Sequence, residues 1–328
     1  MPYPTRRNRI NRANHAIREL VAETQLSASD FIAPLFITEG QGVKDEISSM
    51  PGYYRFSLDL LKQELEELVA AGIQSVLLFV KVPDELKDNA GTEALNPNGL
   101  MQRSIRMIKT EFPPLLVMTD VALDPYSSYG HDGIVEKEEI VNDATVEVLV
   151  KMALSHVQAG ADWVAPSDMM DGRIGAIREA FNRAGYENKG ILAYTAKYAS
   201  NLYGPFRDAL DSAPGFGDKK TYQMDFRNSR EALLEAQEDS AEGADMLMVK
   251  PGIFYLDIVQ RMAQSSLLPI AVYQVSGEYA MIQAAGAKGW INREAVMMES
   301  LISFKRAGAK IILTYFAKEA ANSLKSNA

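Results

Sequence analysis

Short apolar segments alternate with longer amphipathic segments along almost the whole chain. Eight of these short runs are rich in β-branched and aromatic residues, at positions 31–38, 75–80, 115–120, 162–168, 191–197, 246–250, 270–275 and 311–316. Runs that are continuously apolar are typical of strands buried on both faces, as in parallel sheets covered by helices. The helical patterns between them indicate repeated βαβ units.

A weak internal repeat supports eight equivalent units. The segments AAGIQSVLLF, QAGADWVAPS, EGADMLMVKP and RAGAKIILTY each place a glycine between a helical pattern and a strand. These glycines, Gly72, Gly160, Gly243 and Gly308, are predicted to be left-handed helix C-caps. Because no linker or low-complexity segment divides the strands, we predict an α/β fold with one (β/α)8 barrel (TIM barrel) over residues 31–328. Residues 1–30 precede it as an extended N-terminal arm.

The amino-acid composition limits the kinds of catalytic and metal site that the chain can form. The chain has 328 residues, of which 47% are hydrophobic, and it contains no cysteine. Disulfides, thiolate zinc sites and a cysteine nucleophile are therefore excluded, and any metal must use oxygen or imidazole ligands. No run approaches the ~18 apolar residues of a membrane span, and the first residues lack the apolar segment of a signal peptide. We expect a cytoplasmic protein without a membrane partner.

The net charge of −9 argues against general nucleic-acid binding, which needs clustered positive charge. One basic cluster exists in the arm, formed by Arg6, Arg7, Arg9, Arg12 and Arg18. Such a cluster fits a nucleic-acid arm, but it more often docks on an acidic neighbouring subunit. We therefore expect a homo-oligomer and no nucleic-acid partner.

Two lysines stand at the ends of predicted strands, Lys197 in ILAYTAK and Lys250 in MLMVK. A lysine in this position is commonly a surface residue whose stem lies on apolar neighbours. In an apolar pocket, however, the amine loses its proton readily, and a second ammonium nearby depresses the pKa further. Because active sites of (β/α)8 barrels lie at the carboxyl ends of the strands, the pair suggests carbonyl chemistry through imines.

The predicted loops after the third and fifth strands, 120–136 and 198–228, are the longest, and we expect them to form a lid. The first carries Asp120, Asp124, His131 and Asp132, which suit a hard cation, a substrate ammonium or simple turn hydrogen bonds. The second carries the cations Arg207, Lys219 and Lys220 near Gln223. Such cations suit capture of a substrate carboxylate, although exposed Arg and Lys are ordinarily just solvated.

Three further polar residues are ambiguous from the residues alone. Ser276 and Tyr315 follow the seventh and eighth strands and could offer hydroxyl groups to a second anion. Glu235 lies on a helix that we predict to begin with a capping box formed by Asn228 and Glu231. In this position it is typical of an acidic, solvated helix face.

Four segments taken together resemble the porphobilinogen synthase (δ-aminolevulinic acid dehydratase) family: MTDVALDPYSSYGHDG, YTAKYASNLYGPFRDA, EGADMLMVKPG and YQVSGEYAM. The resemblance extends over nearly the whole chain, with these motifs in order. It implies a lyase that condenses two molecules of 5-aminolevulinate, with loss of two waters, to the pyrrole porphobilinogen for tetrapyrrole (heme or chlorophyll) synthesis.

The resemblance also implies individual roles. Lys250 matches the lysine that forms an imine with the substrate destined for the propionate side, and Lys197 matches its partner on the acetate side. One substrate carboxylate is then held by Arg207 and Lys219, with Gln223 close by. The other is held by Ser276 and Tyr315.

Metal expectations follow from the same comparison. Zinc-dependent members carry three cysteines where this chain has Ala122, Asp124 and Asp132, so we expect no catalytic zinc. The sequence resembles the magnesium-type members, in which Asp120, Asp124 and Asp132 face a substrate ammonium or a weakly held cation. Glu235 matches a residue that helps to hold a regulatory Mg²⁺ near a subunit interface. The family further implies an allosteric octamer built through the arm, with no organic cofactor.

Two alternatives remain open at this point. A (β/α)8 lyase of the class I aldolase type would need only one of the two lysines. A catalytically silent oligomeric binding protein would need neither.

Overall fold

The computed structural model describes residues 4–326, so the outermost ends of the predicted arm and barrel, residues 1–3 and 327–328, lie outside the described part. All eight predicted strands are confirmed. They are β1 (Phe31–Thr38), β2 (Ser75–Lys81), β3 (Leu116–Val121), β4 (Trp163–Pro166), β5 (Gly190–Lys197), β6 (Met246–Lys250), β7 (Ile270–Gln274) and β8 (Ile311–Thr314).

The eight strands form a closed parallel barrel. Each strand pairs with the next in the chain, and β8 returns to β1, where Phe31 lies opposite Ile312. The strand side chains are almost all buried, including every residue of β5 and β7. This burial on both faces explains why the strands read as continuous apolar runs rather than as alternating ones.

Helices surround the barrel and return the chain between strands. The helices that cover it are Leu58–Ala71, Leu100–Glu111, Asn142–Ala159, Arg173–Arg183, Glu231–Glu242, Leu256–Ser265, Ser276–Ala287, Arg293–Ala307 and Ala317–Ser326. The predicted glycine caps are confirmed, since Gly72, Gly160, Gly243 and Gly308 have φ of 93°, 114°, 101° and 110° and end their helices.

Short strands and one short helix lie in the loops between the barrel strands and the covering helices. The short strands are Lys44–Glu46, Tyr54–Phe56, Val135–Glu136 and Glu139–Ile140, and the short helix Gly204–Leu210 lies in the loop after β5. Tyr54–Phe56 pairs in parallel with the upper half of β1, where Phe36 lies opposite Arg55. None of these elements was predicted, because each is too short to carry a periodic pattern.

The arm lies outside the core. Its helix His15–Leu20 begins at Asn14, whose side-chain oxygen accepts a hydrogen bond from Ile17 N at 3.0 Å. No side chain between residues 4 and 30 is buried. Among the described residues, no helix is both long enough and apolar enough to cross a membrane.

Candidate active site

Lys197 and Lys250 end adjacent strands. β5 and β6 pair so that the two lysines lie directly opposite each other. Both are buried, with 6% and 5% of their surface exposed. Since both strands run toward the same end of the barrel, the amines meet where the active sites of this architecture lie.

The Lys250 amine lies among aromatic rings. Its Nζ is 4.7 Å from the ring centre of Tyr273, 4.9 Å from Phe206, 5.1 Å from Tyr203 and 5.2 Å from Tyr194. Burial and, to a smaller extent, the nearby Lys197 ammonium together lower the pKa of Lys250 to about 7. Near neutral pH much of Lys250 is therefore an uncharged nucleophile. We call the two lysines and these four rings the lysine chamber.

Lys197 has a different environment, because a carboxylate holds it. Its Nζ donates to Asp132 Oδ2 at 2.9 Å and to the carbonyl oxygen of Ser167. The other oxygen of Asp132 accepts from Lys219 Nζ at 2.5 Å. Burial alone would raise the pKa of Asp132, but the two ammonium groups lower it to about 2. Asp132 is therefore a fixed anion shared between a strand lysine and a lid lysine.

The neighbouring carboxylates, Asp124 and Asp120, have fewer close cationic partners than Asp132 has. Asp124 lies 3.6 Å from Lys219, while Asp120 Oδ1 is buried without a hydrogen-bond partner among the described residues. Burial and the nearby Asp124 raise the pKa of Asp120 to about 7. A buried acceptor without a donor is costly, so this position favours a donor supplied by a ligand, such as a substrate ammonium.

The two predicted lid loops pack against each other. Gly215 N donates to Tyr129 O at 2.8 Å. His131 Nε2 donates to Phe216 O at 3.0 Å, an assignment set by the carbonyl acceptor, while His131 Nδ1 lies 3.0 Å from the Tyr222 hydroxyl. At Gly130 (φ +65°), a Cβ would lie 2.2 Å from a carbonyl oxygen of the opposite loop. These contacts bring Lys219 over the carboxylates.

The other lid residues lie at the edge of the same region. Arg207 is half-buried on helix Gly204–Leu210, one residue after Phe206 of the lysine chamber. Gln223 is buried, and its main-chain N–H donates to Lys219 O at 2.9 Å.

Ser276 and Tyr315 lie next to aromatic residues of the lysine chamber. Ser276 Oγ accepts from Phe206 N at 2.9 Å and donates to Leu202 O at 3.4 Å, so it links β7 to the lid helix. The Tyr315 hydroxyl lies 2.6 Å from that of Tyr273. Tyr315 therefore contacts a ring of the lysine chamber, and Ser276 contacts the main chain of Phe206. Lys219 instead pairs with Asp132 and Asp124, which leaves two separate regions for two carboxylates.

Glu235 lies outside this cluster. It lines a cavity of about 1060 Å³ together with the lid residues Tyr222 and Gln223, and the two lysines are not among the lining residues. Burial, with Asp239 and Glu238 nearby, raises the pKa of Glu235 to about 7 although Arg173 opposes the shift.

The predicted capping box is wrong: the helix begins at Glu231 and has no side-chain cap, because the Asn228 amide donates to the Glu231 carboxylate instead.

Arg173 and Glu278 are among the buried charged residues that the sequence analysis did not single out. Arg173 Nη1 lies 3.2 Å from Asp239 Oδ1, and its Nη2 donates to Tyr194 O at 3.2 Å. Glu278 has no exposed surface and accepts hydrogen bonds from the backbone beside Lys250. The only sequence signal for Glu278 was its place in the first turn of a helix, where a glutamate is ordinary.

Comparisons with known proteins agree with this geometry. The model of the δ-aminolevulinic acid dehydratase family matches residues 5–323. Chloroplastic δ-aminolevulinic acid dehydratase 1 of Arabidopsis thaliana is 56% identical over 322 residues, covering 98% of this chain and 75% of that protein. The Chlamydia pneumoniae enzyme is 52% identical over 313 residues, covering 95% and 94%.

A solved structure is equally similar. The δ-aminolevulinic acid dehydratase (porphobilinogen synthase) of Toxoplasma gondii ME49, in complex with its reaction product porphobilinogen, superposes with a TM-score of 0.98 at 51% identity, covering 99% of this chain and 93% of that one. With 99% of this chain covered, the agreement includes strands β5 and β6, which carry the two lysines. The chain therefore belongs to the δ-aminolevulinic acid dehydratase family.

Proposed function

We propose that Lys250 and Lys197 condense two molecules of 5-aminolevulinate to porphobilinogen, with loss of two waters. The activity is that of the family, a lyase reaction of porphyrin biosynthesis. The observation that carries the assignment of residues is the direct pairing of the two buried lysines across β5 and β6. Incubation with 5-aminolevulinate should give a pyrrole that colours with Ehrlich's reagent; no colour would argue for a non-catalytic binding protein.

In this mechanism each lysine attacks the ketone carbon of one substrate and forms an iminium as water leaves. The iminium withdraws electrons and makes the neighbouring carbon acidic enough to deprotonate. A carbon–carbon bond and a carbon–nitrogen bond then join the two substrates, and both lysines are released. Holding two small molecules in register can lower the barrier by about 7–11 kcal/mol.

The two carboxylate regions assign the roles of two identical molecules. Arg207, Lys219 and Gln223 hold one carboxylate beside Lys197, and Ser276 with Tyr315 holds the other beside Lys250. When the first carboxylate reaches Lys219, it competes with Asp132 for that ammonium. Asp132, Asp124 and Asp120 are then available to a substrate ammonium, which supplies the donor that Asp120 Oδ1 lacks.

The charge of Lys197 should set the pH dependence of Lys250. Imine formation needs the neutral amine, so trapping of 5-aminolevulinate on Lys250 by borohydride should fall about tenfold per pH unit below pH ~7. Since the Lys197 ammonium lowers the pKa of Lys250, Lys197→Ala should raise that pKa. The fall in trapping, which is the acid limb of the pH profile, should then move to higher pH. Lys197→Arg keeps the charge and should leave the limb in place. An identical limb in all three proteins would contradict the coupling.

We also propose that Glu235 helps to hold a regulatory Mg²⁺. Within residues 4–326 no group of three or more acidic or histidine side chains is arranged to hold a metal, so Glu235 would be one ligand and water would supply most of the others, as Mg²⁺ tolerates. Its neighbours Asp239 and Glu238 disfavour the ionised carboxylate, and a cation would relieve that repulsion.

Glu235→Gln should weaken Mg²⁺ binding by about 10–100-fold, because one of few direct ligands is lost. Titration calorimetry of the chelated protein measures the affinity directly, and turnover after chelation measures activation. Glu66→Gln, which changes an exposed glutamate on helix Leu58–Ala71 outside the cavity, is the control. Equal affinity in all three proteins, or rescue by Zn²⁺ alone, would contradict this assignment.

We further propose a homo-oligomer, built as an octamer through the arm. The arm exposes 66% of Ile10 and 79% of Leu20, apolar surface that a second copy would cover. Its arginines match the acidic lining of the cavity beside Glu235, which includes Glu138, Glu139, Asp171 and Asp225. An arm from a second copy therefore has both an apolar and an electrostatic reason to dock.

For location we propose the cytoplasm. A sequence without cysteine fits a reducing compartment. The plant relatives are named chloroplastic, so fractionation of the source cells is the deciding measurement.

A further inference from the structure

We propose that Glu278 is a positioning residue that fixes the main chain of Lys250 relative to Ser276. The proposal rests on the imine-forming role of Lys250 given above. Glu278 is the third residue of helix Ser276–Ala287 and has no exposed surface. It touches neither substrate region directly, so its effect would be exerted through the two residues that do.

The carboxylate of Glu278 joins two loops through backbone hydrogen bonds. Oε1 accepts from Gly252 N at 3.2 Å and from Ile253 N, on the turn that follows Lys250. Oε2 accepts from Val275 N at 2.6 Å, directly before Ser276. The carboxylate of Glu278 thus fixes the distance between the turn that follows Lys250 and the residue that precedes Ser276.

The turn after Lys250 is closely packed. A Cβ at Gly252 would lie 2.6 Å from the Phe304 ring, so the turn is already pressed against a buried side chain. On its other side Lys250 O accepts from Tyr198 N at 2.9 Å and from the Tyr203 hydroxyl at 3.2 Å. Lys250 is therefore held through its own carbonyl oxygen, and Glu278 restrains Gly252 and Ile253 of the turn that follows it.

A carboxylate is the group that this position requires. Three N–H donors converge on its two oxygens, and an amide would point its own NH2 toward at least one of them. Burial raises the pKa of Glu278 to about 7, while these donors oppose the shift. Hydrogen bonds to the ionised carboxylate are roughly twice as strong as neutral ones, so the restraint is strongest where Glu278 is ionised.

The test uses borohydride trapping in single-lysine backgrounds. In Lys197→Ala only Lys250 can trap 5-aminolevulinate, and in Lys250→Ala only Lys197 can. Adding Glu278→Gln should lower trapping at Lys250 by at least about tenfold per folded chain, since a shift of about 1 Å can cost a factor of ~100. Trapping at Lys197 should stay within about twofold. Glu294→Gln, an exposed glutamate in the first turn of helix Arg293–Ala307, is the control.

Each outcome is decisive. An equal loss at both lysines would mean that Glu278 is merely structural, and no loss at Lys250 would equally overturn the proposal. If Glu278→Gln does not fold, Glu278→Asp keeps the charge but is too short to reach both loops, and it should show the same selective loss. Absence of trapping at Lys250 with Glu278 intact would instead refute the role of Lys250 itself.

Discussion

Replacing Lys250 with alanine should abolish pyrrole formation, with turnover lower by about four orders of magnitude or more, while the fold is retained. Loss of a nucleophile removes the covalent route altogether, and losses of this size are usual for such residues. The fold should survive because Lys250 contributes a poorly solvated amine rather than an ion pair. Ehrlich's assay measures turnover, and circular dichroism with thermal unfolding measures the fold.

The matched control is Lys220→Ala. Lys220 lies on the lid, is largely exposed and pairs with Asp218 at 2.9 Å. Its loss should change turnover by less than about threefold, since exposed ion pairs contribute only ~0–1 kcal/mol. Retention of more than a trace of activity by Lys250→Ala would argue against its nucleophilic role.

Asp132→Asn should have the second largest effect. Removing the charge leaves the buried ammonium groups of Lys197 and Lys219 facing each other without their common anion. Removal of one partner from a buried ion pair commonly costs about 3–5 kcal/mol. We expect a lower melting temperature and a kcat/KM reduced by about a hundredfold, because both the lid and the Lys197 amine lose their position.

Asp218→Asn provides the comparison for Asp132. It removes an exposed carboxylate that also pairs with a lid lysine, and it should leave both kcat/KM and melting temperature nearly unchanged. If the Asp132 and Asp218 variants behaved alike, the shared-anion description of the lid would be wrong.

The barrel was predictable because its signal is local and repeated. Each strand is an apolar run, and each of four helices ends in a glycine with positive φ, so short windows of sequence suffice. The two lysines stand at strand ends, and parallel strands place such ends together. Their direct pairing additionally needed the register of β5 and β6, which the sequence does not contain.

The remaining parts of the site depend on contacts between distant residues. Glu278 lies 26 positions from Gly252, and Asp132 lies 65 and 87 positions from the lysines that it joins. No local pattern encodes these partners. The capping box predicted at Asn228 was wrong for another reason. The local spacing of Asn228 and Glu231 was correct, but the two side chains hydrogen-bond to each other instead of to the backbone.

The central claim is that two adjacent buried lysines each bind one substrate covalently. Peptide mapping of the wild-type protein after borohydride reduction in the presence of 5-aminolevulinate tests it most directly. The account predicts reduced adducts on both Lys250 and Lys197. An adduct confined to one lysine at saturating substrate would contradict the account and favour chemistry of the single-lysine aldolase type.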